Sequence, residues 1–509
     1  MLIKTYGSAV FGIDAQTITV EVNIGKGAQY FLVGLPDNAV KESQKRIEAA
    51  LRNNGYKIPG KGIIINMAPA DIRKEGSAYD LTLATGILAA SEQINPTQVG
   101  DYQIMGELAL DGDLRPIKGA LPIAINAKKA GFKGLILPKA NVREAAVVED
   151  FEVYGASNIK EVIEFFDGVG SLKPETVDIE AAYNEKLSEI HVDFSEVKGQ
   201  ENVKRALEIA AAGGHNVILI GPPGVGKTML AKRIPTILPH LTVDEALETT
   251  KIHSVAGVLG NETALITQRP FRHPHHTVSD VALVGGGSNP RPGEISLAHN
   301  GLLFLDELPE FKRSVLEVLR QPLEDRIVTI SRARFTVDYP ASFMLVASMN
   351  PSPSGEFYDP ETSSDSEFAV KRYLNKISGP LMDRIDLHIE VNPVPFEQLS
   401  NKENGESSAS IRERVVAARR IQSKRYKGLK TIHNNAQLTP KLMQEYCSPD
   451  ASGEQLLKNA VDKLGLSARS YNRILKVART IADLSETTHI LPQHIAEAIQ
   501  YRSLDREGF

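Results

Sequence analysis

Residues 216–234 join an apolar run, a glycine-punctuated turn and a helical run without a break. The turn reads Gly221, Pro222, Pro223, Gly224, Val225, Gly226, Lys227, Thr228, which matches G-x-x-x-x-G-K-[ST]. The setting is the required one: the apolar run at 216–220 enters the turn as a buried strand, and 229–234 leaves it as a helix. A fully apolar strand feeding a helix belongs to a parallel sheet covered on both faces, so this segment commits the middle of the chain to an α/β fold. Glycines let backbone N–H groups converge on phosphate oxygens, and the helix N-terminus adds a favourable dipole. Lys227 is expected to reach the β- and γ-phosphates of ATP and the Thr228 hydroxyl to ligate Mg²⁺. The competing reading, an accidental glycine turn, does not account for the strand and helix on either side.

Two further apolar runs end in polar tips. Residues 301–305 deliver Asp306 and Glu307 to the C-terminal end of a strand, where open α/β sheets bind ligands. Asp306 is expected to hold Mg²⁺, and Glu307 sits where a base can polarise an attacking water. A capping acidic pair after a core strand is the alternative. Residues 343–348 read as another buried strand, followed by Met349, Asn350 and Pro351. The Asn350 amide could orient that water or the γ-phosphate; an Asx turn before proline is the plainer reading.

At 509 residues the chain has room for about three domains. Its 42% hydrophobic, 24% charged and 6% aromatic composition excludes collagen-like and disordered classes. One cysteine, Cys447, cannot form an intrachain disulfide, which points to a reducing compartment. The start alternates like a strand rather than carrying a secretory h-region, and no run of about 18 apolar residues spans a membrane, so the expected location is cytoplasmic. A formal net charge of -5 gives no global attraction to nucleic acid, so a DNA site must be a local basic patch.

Up to about residue 165, short strands and helices alternate: 17–22 and 62–66 read as strands, 37–53 and 81–90 as helices. Residues 169–192 turn polar and read as a linker with one helix; 193–397 is strand–helix alternation; 398–410 is a second linker. From 411 to 509 the pattern is helical.

Segments distributed over the whole chain carry a family resemblance: DFSEVKGQENVKRALEIAAAGGHNVILIGPPGVGKTMLAKR, RPFRHPHHTVSDVALVGGG, PGEISLAHNGLLFLDELPEF and SGPLMDRIDLHIEV. In this order they resemble the YifB/ComM family of magnesium-chelatase-like AAA+ proteins. The resemblance implies an α/β multidomain chain: a Lon-protease-like (S5-like) α+β domain over 1–168, an AAA+ core over 193–397 and a helical lid over 411–509. It also implies a ring ATPase, expected as a homo-hexamer, using ATP and Mg²⁺ for DNA branch migration in recombination or natural transformation. The rival is a chelatase-like protein- or cofactor-remodelling ATPase. Carried over by position, Arg384 matches the arginine finger that reaches a neighbouring subunit's ATP, with a structural pair to Asp383 or Asp386 as the alternative. Arg469 matches the sensor-2 arginine, with Arg473 one helical turn on as the fallback. Residues 197–200 resemble the adenine-side segment.

The stretch GELALDGDLRPIKGALPIAINAKKAGFKGLILPKAN carries the likeness to Lon. The Lon nucleophile falls on Ala78, or on Ser77 one register away, and the Lon lysine falls on Leu121. Leucine cannot accept a proton, so no protease activity is expected.

Many relatives carry cysteines where this chain has Ser352, Ser354, Ser364 and Ser366, and serine is a poor zinc ligand, so no zinc is expected there. His273, His275 and His276 invite a metal reading, but the resemblance puts them in a substrate-facing or interface loop. Residues 326–338 read as a β-hairpin with a basic tip, Arg332 and Arg334, resembling the pre-sensor-1 hairpin of minichromosome maintenance helicases. Such a tip would hold DNA phosphates without reading bases, a solvated turn being the alternative. The basic run Arg412, Arg414, Arg419, Arg420, Lys424, Arg425, Lys427 and Lys430 reads as a solvated helix face.

Overall fold

The computed structural model describes residues 1–502 except 171, 180–191, 261–262, 288–289, 333–334, 358–364, 401–404, 430–431 and 465. Among the described residues two large sheets organise two cores. The first is built from β1 (Leu2–Phe11), β2 (Asp14–Gly25), β3 (Tyr30–Val33), β4 (Gly62–Ala68), β5 (Tyr102–Ile104), β6 (Gly134–Pro138), β7 (Glu152–Ala156) and β8 (Pro174–Glu175), in the order β8-β7-β6-β5-β1-β2-β4-β3. Helices α1 (Asn38–Asn53), α2 (Asp80–Ala90) and α3 (Ala120–Lys129) accompany it. Helix α2, DLTLATGILAA, is buried throughout as a predominantly apolar central helix, its one charge, Asp80, paired with Arg46 at 2.6 Å. β8 lies in the stretch expected as a linker; it pairs antiparallel with β7 and extends the sheet by one strand. The helix expected in that linker lies outside the described residues.

The second sheet is parallel throughout. Its strands are β9 (Val217–Ile220), β10 (Phe271–Arg272), β13 (Leu302–Leu305), β16 (Met344–Met349) and β17 (Leu387–Glu390), ordered β10-β13-β16-β9-β17. Two hairpins interrupt the chain between them: β11 (Gly285–Gly286) with β12 (Arg291–Pro292), and β14 (Ile327–Arg332) with β15 (Phe335–Pro340). Strand alternation divides the apolar residues between two faces. Val217, Leu219, Leu302, Phe304 and Val346 pack with α4 (Glu201–Gly213) and α5 (Lys227–Ile237) on one side. Ile218, Ile220, Leu303, Leu305 and Leu345 pack with Leu283, Ile330 and Tyr339 of the interrupting hairpins on the other. Both faces are therefore dry, which is why these strands read as unbroken apolar runs.

Helices α7 (Ser408–Arg425), α8 (Ala468–Leu484) and α9 (Pro492–Gln500) join the first of these faces. The basic run does not behave as a solvated face. Arg419 donates to the Ala211 carbonyl at 2.9 Å, Arg412 to that of Thr236 at 3.3 Å, and Arg414 pairs with Glu208 and Glu406. Arg425 grips buried Asp483 through both terminal nitrogens. Tertiary packing turns these guanidiniums into anchors for α4, α5 and α8; Arg420, Lys424 and Lys427 remain exposed. Lys430 lies outside the described residues.

The two cores meet where α3 packs along α6 (Val243–Ala256); the Gly119 amide donates to the Ser254 carbonyl at 3.1 Å. No described helix is long and apolar enough to cross a membrane.

Candidate active site

Sheet order builds the site. β16 lies between β9 and β13, and the register pairs Ile220 with Met349 and Leu305 with Ala347. The next residues along, Gly221, Asn350 and Asp306, therefore emerge together at the C-terminal edge. Gly221 approaches β17 so closely that a Cβ would sit 2.2 Å from the Val391 carbonyl oxygen, and Gly226 turns the chain into α5 at φ +91°.

Lys227 opens α5 and folds over the loop. Its Nζ donates to the carbonyls of Gly221 (2.5 Å) and Pro222 (2.9 Å) and to Asn350 Oδ1 (3.0 Å). Burial holds its ammonium below the ordinary lysine range, against the opposing pull of the Asp306 and Glu307 carboxylates. Thr228 Oγ1 donates to Asp306 Oδ2 at 2.7 Å, while Asp306 Oδ1 accepts from Ser348 Oγ and from the Glu307 amide at 3.1 Å. Asn350 thus holds the lysine rather than merely turning the chain. A hydroxyl and a carboxylate converging beside a lysine and a glycine-rich helix N-terminus are the donor set that a Mg²⁺–polyphosphate needs. The residues fit ATP and Mg²⁺. Beyond Val225, whose carbonyl accepts from Gln200 Nε2 at 3.1 Å, a cavity of about 550 Å³ opens between residues 197–203 and 390–398. Its volume suits a nucleoside.

Glu307 projects into solvent, its side chain 61% exposed, from a backbone at φ +54°. A non-glycine residue held there stores roughly 1–3 kcal/mol, the kind of strain that collects at functional positions. His276 Nδ1 stands 3.6 Å from Glu307 Oε2, with the His275 ring 4.1 Å from its own. His273 packs against Phe304 at 4.8 Å, and burial keeps its imidazole below the ordinary histidine range. The histidine segment therefore borders the end of β13. Its proximity follows from β10 lying next to β13, a neighbour relation that local pattern does not carry. Ser348 escaped the sequence reading for the same reason.

Arg384 and Arg469 belong to a different cluster. Arg384 pairs with Glu324 and donates to the Pro380 carbonyl at 2.5 Å, its side chain 8% exposed. Its partner is neither Asp383 nor Asp386: those carboxylates take Arg469 at 3.1 Å and Arg473 at 2.8 Å. Within the chain the structure assembles Lys227, Thr228, Asp306, Glu307 and Asn350, and leaves the two arginines outside that group. Arg332 ends β14 exposed to solvent; Arg334 lies outside the described residues. Ser352 and Ser354 hydroxyls lie 3.0 Å apart, the Ser354 amide donates to Asp365 at 2.8 Å, and Ser366 caps the following helix. Ser364 lies outside the described residues.

A phosphate loop, an acidic strand end and a polar strand tip on one parallel sheet define an AAA+ ATPase of the magnesium-chelatase type. Residues 193–399 match the family described as magnesium chelatase, subunit ChlI; residues 20–141 match subunit ChlI of Mg-chelatase, and 405–502 its C-terminal part. The chain is 45% identical over 505 residues to competence protein ComM of Haemophilus influenzae, covering 98% of this chain and 97% of that protein. It is 46% identical over 502 residues to YifB of Escherichia coli, covering 98% and 96%. It belongs to the YifB/ComM family. A shorter likeness, 31% identity over 157 residues, connects 28% of the chain to 27% of Lon protease 2 of Bacillus subtilis.

Proposed function

We propose that this chain is a ring-forming, Mg-ATP-dependent motor that moves on DNA, with branch migration in recombination or natural transformation as its activity. The observation that carries the reading is the convergence of Lys227, Thr228, Asp306, Glu307 and Asn350 at one sheet edge, on strands whose intervening chain forms the hairpin ending at Arg332. Lys227 neutralises phosphate charge and is held in register by Asn350. Thr228 and Asp306 would hold Mg²⁺, which supplies charge neutralisation at the phosphate oxygens when bound. Glu307 accepts the proton of the attacking water. Arg384 of an adjacent subunit stabilises the charge of the transferring phosphoryl, a role worth roughly 10³–10⁵-fold in rate. The hairpin supplies DNA contact by charge. The likeness to competence protein ComM supports the assignment to DNA uptake or recombination; the need for an arginine in trans supports a ring, and the family resemblance a homo-hexamer.

The N-terminal unit is read as a Lon-type (S5-like) fold without protease chemistry, and the C-terminal helices as the lid. Leu121 is buried with no titratable atom, Ala78 carries none, and Ser77 donates to Glu107 rather than to a lysine. A chelatase-like remodelling ATPase is the second reading, favoured by the subunit ChlI matches.

ATP hydrolysis measured with and without a four-way junction tests the proposal. Junction DNA should stimulate turnover, and Glu307→Gln should bind ATP while losing about 10²–10⁴-fold in rate. Hydrolysis indifferent to every DNA form favours remodelling; near wild-type hydrolysis by Glu307→Gln removes Glu307 as the base.

A further inference from the structure

The N-terminal unit touches the hairpin directly. A Cβ on Gly12, in the β1–β2 turn, would lie 3.0 Å from Val337 Cγ1 of β15, and Ile13 packs into the core beneath the hairpin. On its other flank the unit is fixed to α6 through the Gly119–Ser254 hydrogen bond and the packing of α3 along that helix. Lys118, the residue before Gly119, is thereby held in fixed relation to the hairpin.

Three cations from separate elements are neighbours across this junction. Arg332 Nη2 lies 3.6 Å from where a Cβ of Gly286 would be, on β11. Gly286 pairs with Arg291 across the β11–β12 hairpin, so adjacent strands, about 4.8 Å apart, separate the two positions. Beyond Arg291 comes Lys118, whose Nζ lies 3.0 Å from the Cβ position of Gly257 at the end of α6. Burial and then the charge of Arg291 hold the Lys118 ammonium below the ordinary lysine range, with no carboxylate opposing them.

All three side chains are exposed, and among the described residues none has an ion pair. Glu294, two residues past β12, is taken by Arg272 at 2.6 and 2.8 Å, and Asp338, which accepts from Thr329 at 2.6 Å, lies on the hairpin face opposite Arg332. Like charges collected without a counter-charge raise the energy of the free surface and are relieved by an anion. Three separate elements contribute one cation each, and charge spread over several elements suits an extended polyanion rather than a single phosphate. Duplex DNA, with one charge per roughly 1.7 Å of axis, has that form.

We propose that Lys118, Arg291 and Arg332 form one phosphate-contacting surface for duplex DNA, so that the N-terminal unit is part of the nucleic-acid face. This rests on the DNA-motor reading above. The surface grips backbone without selecting sequence, because it offers ammonium and guanidinium charge at the phosphates and nothing directed at base edges.

The test is binding of a fluorescent duplex to the full-length chain across a salt series, for wild type and for Lys118→Ala, Arg291→Ala and Lys118→Arg. Each alanine variant should shallow the log–log salt slope by about 0.9 and weaken binding most at low salt, while Lys118→Arg keeps the wild-type slope. Thermal melting checks that each variant is folded. Wild-type binding with an unchanged slope in Lys118→Ala, while Arg332→Ala flattens it, confines the surface to the hairpin and overturns the proposal alone. An equal loss at every salt concentration also overturns it, because that is the signature of distortion rather than a lost phosphate contact. A wild type that binds no duplex at any salt overturns the motor reading and this surface with it.

Discussion

Glu307 carries its carboxylate on a strained left-handed backbone, and three groups define its surroundings: its amide bonded to Asp306, the Ser348 hydroxyl on the same aspartate, and His276 across 3.6 Å. The first two belong to the sheet edge and are rigid. His276 belongs to the segment between β10 and the β11–β12 hairpin, so a movement of that insertion would reach the Glu307 carboxylate, the proposed base, through this contact. A carboxylate 61% exposed has many rotamers to lose, and a misplacement of about 1 Å can cost on the order of 10²-fold. His276→Ala is therefore expected to lower kcat for ATP hydrolysis by about ten- to a hundredfold with little change in KM, since Lys227 and Thr228 are untouched. His276→Asn, which restores a polar group, should recover part of the loss. Equal effects on kcat and KM, or no effect, would show that His276 is a neighbour and not a positioning residue.

Among elements, β17 concentrates buried titratable groups. Asp386, just before it, forms an ion pair with Arg473 at 2.8 Å and lies 3.4 Å from His215 Nδ1, while His215 Nε2 meets Thr480 of α8 at 2.8 Å. His388 is 2% exposed, with neither ring nitrogen hydrogen-bonded. Burial drives both imidazoles below the ordinary range; Arg502 pushes His388 the same way, and Lys476 and Arg473 do so for His215, with Asp386 opposing in both cases. A histidine depressed in the fold stabilises fully above its unfolded value of about 6.5, and that contribution is lost as pH falls below it. The unfolding free energy of the wild type should fall as pH drops below about 6.5, by up to about 1.4 kcal/mol per pH unit per proton, and its thermal midpoint should fall with it between pH 7.5 and 5.5. His388→Phe should flatten that drop, and an equally steep drop in the variant would remove His388 from the linkage. Elements of this kind were only half legible. The apolar runs announced β9, β13 and β16 and their polar tips Lys227, Asp306, Glu307 and Asn350, because burial on both faces leaves a local signature. His276 beside Glu307, Ser348 beneath Asp306 and the anchoring of Arg419 and Arg425 depend on which strands and helices are neighbours, and adjacency is written in no short window. Arg384 was legible as a motif, but its partner Glu324 comes from a helix some 60 residues earlier.

At the scale of the whole molecule, the proposed role of Arg384 requires a residue outside the hydrolysis site to act on it. Within one chain Arg384 is occupied by Glu324 and the Pro380 carbonyl, on a face it shares with Arg469 and Asp383, while the phosphate loop bonds to Asn350 and Asp306. A head-to-tail ring brings two different faces of neighbouring copies together, so the arginine cluster of one subunit can meet the sheet edge of the next. Arg384 must then exchange a single exposed carboxylate for several phosphate oxygens, a trade that favours the charge-dense partner. Lys227→Ala and Arg384→Ala chains should each be nearly inactive alone. Mixed in equal amounts they should regain activity, because roughly a quarter of randomly formed interfaces then join an intact loop to an intact finger. The measurement is ATP turnover against mixing ratio, with mixed assemblies verified by mass. Recovery peaking near equal proportions is the expected result; no recovery at any ratio, in assemblies shown to contain both chains, would assign Arg384 to the Glu324 pair as a structural residue and require a different cation for the transferring phosphoryl.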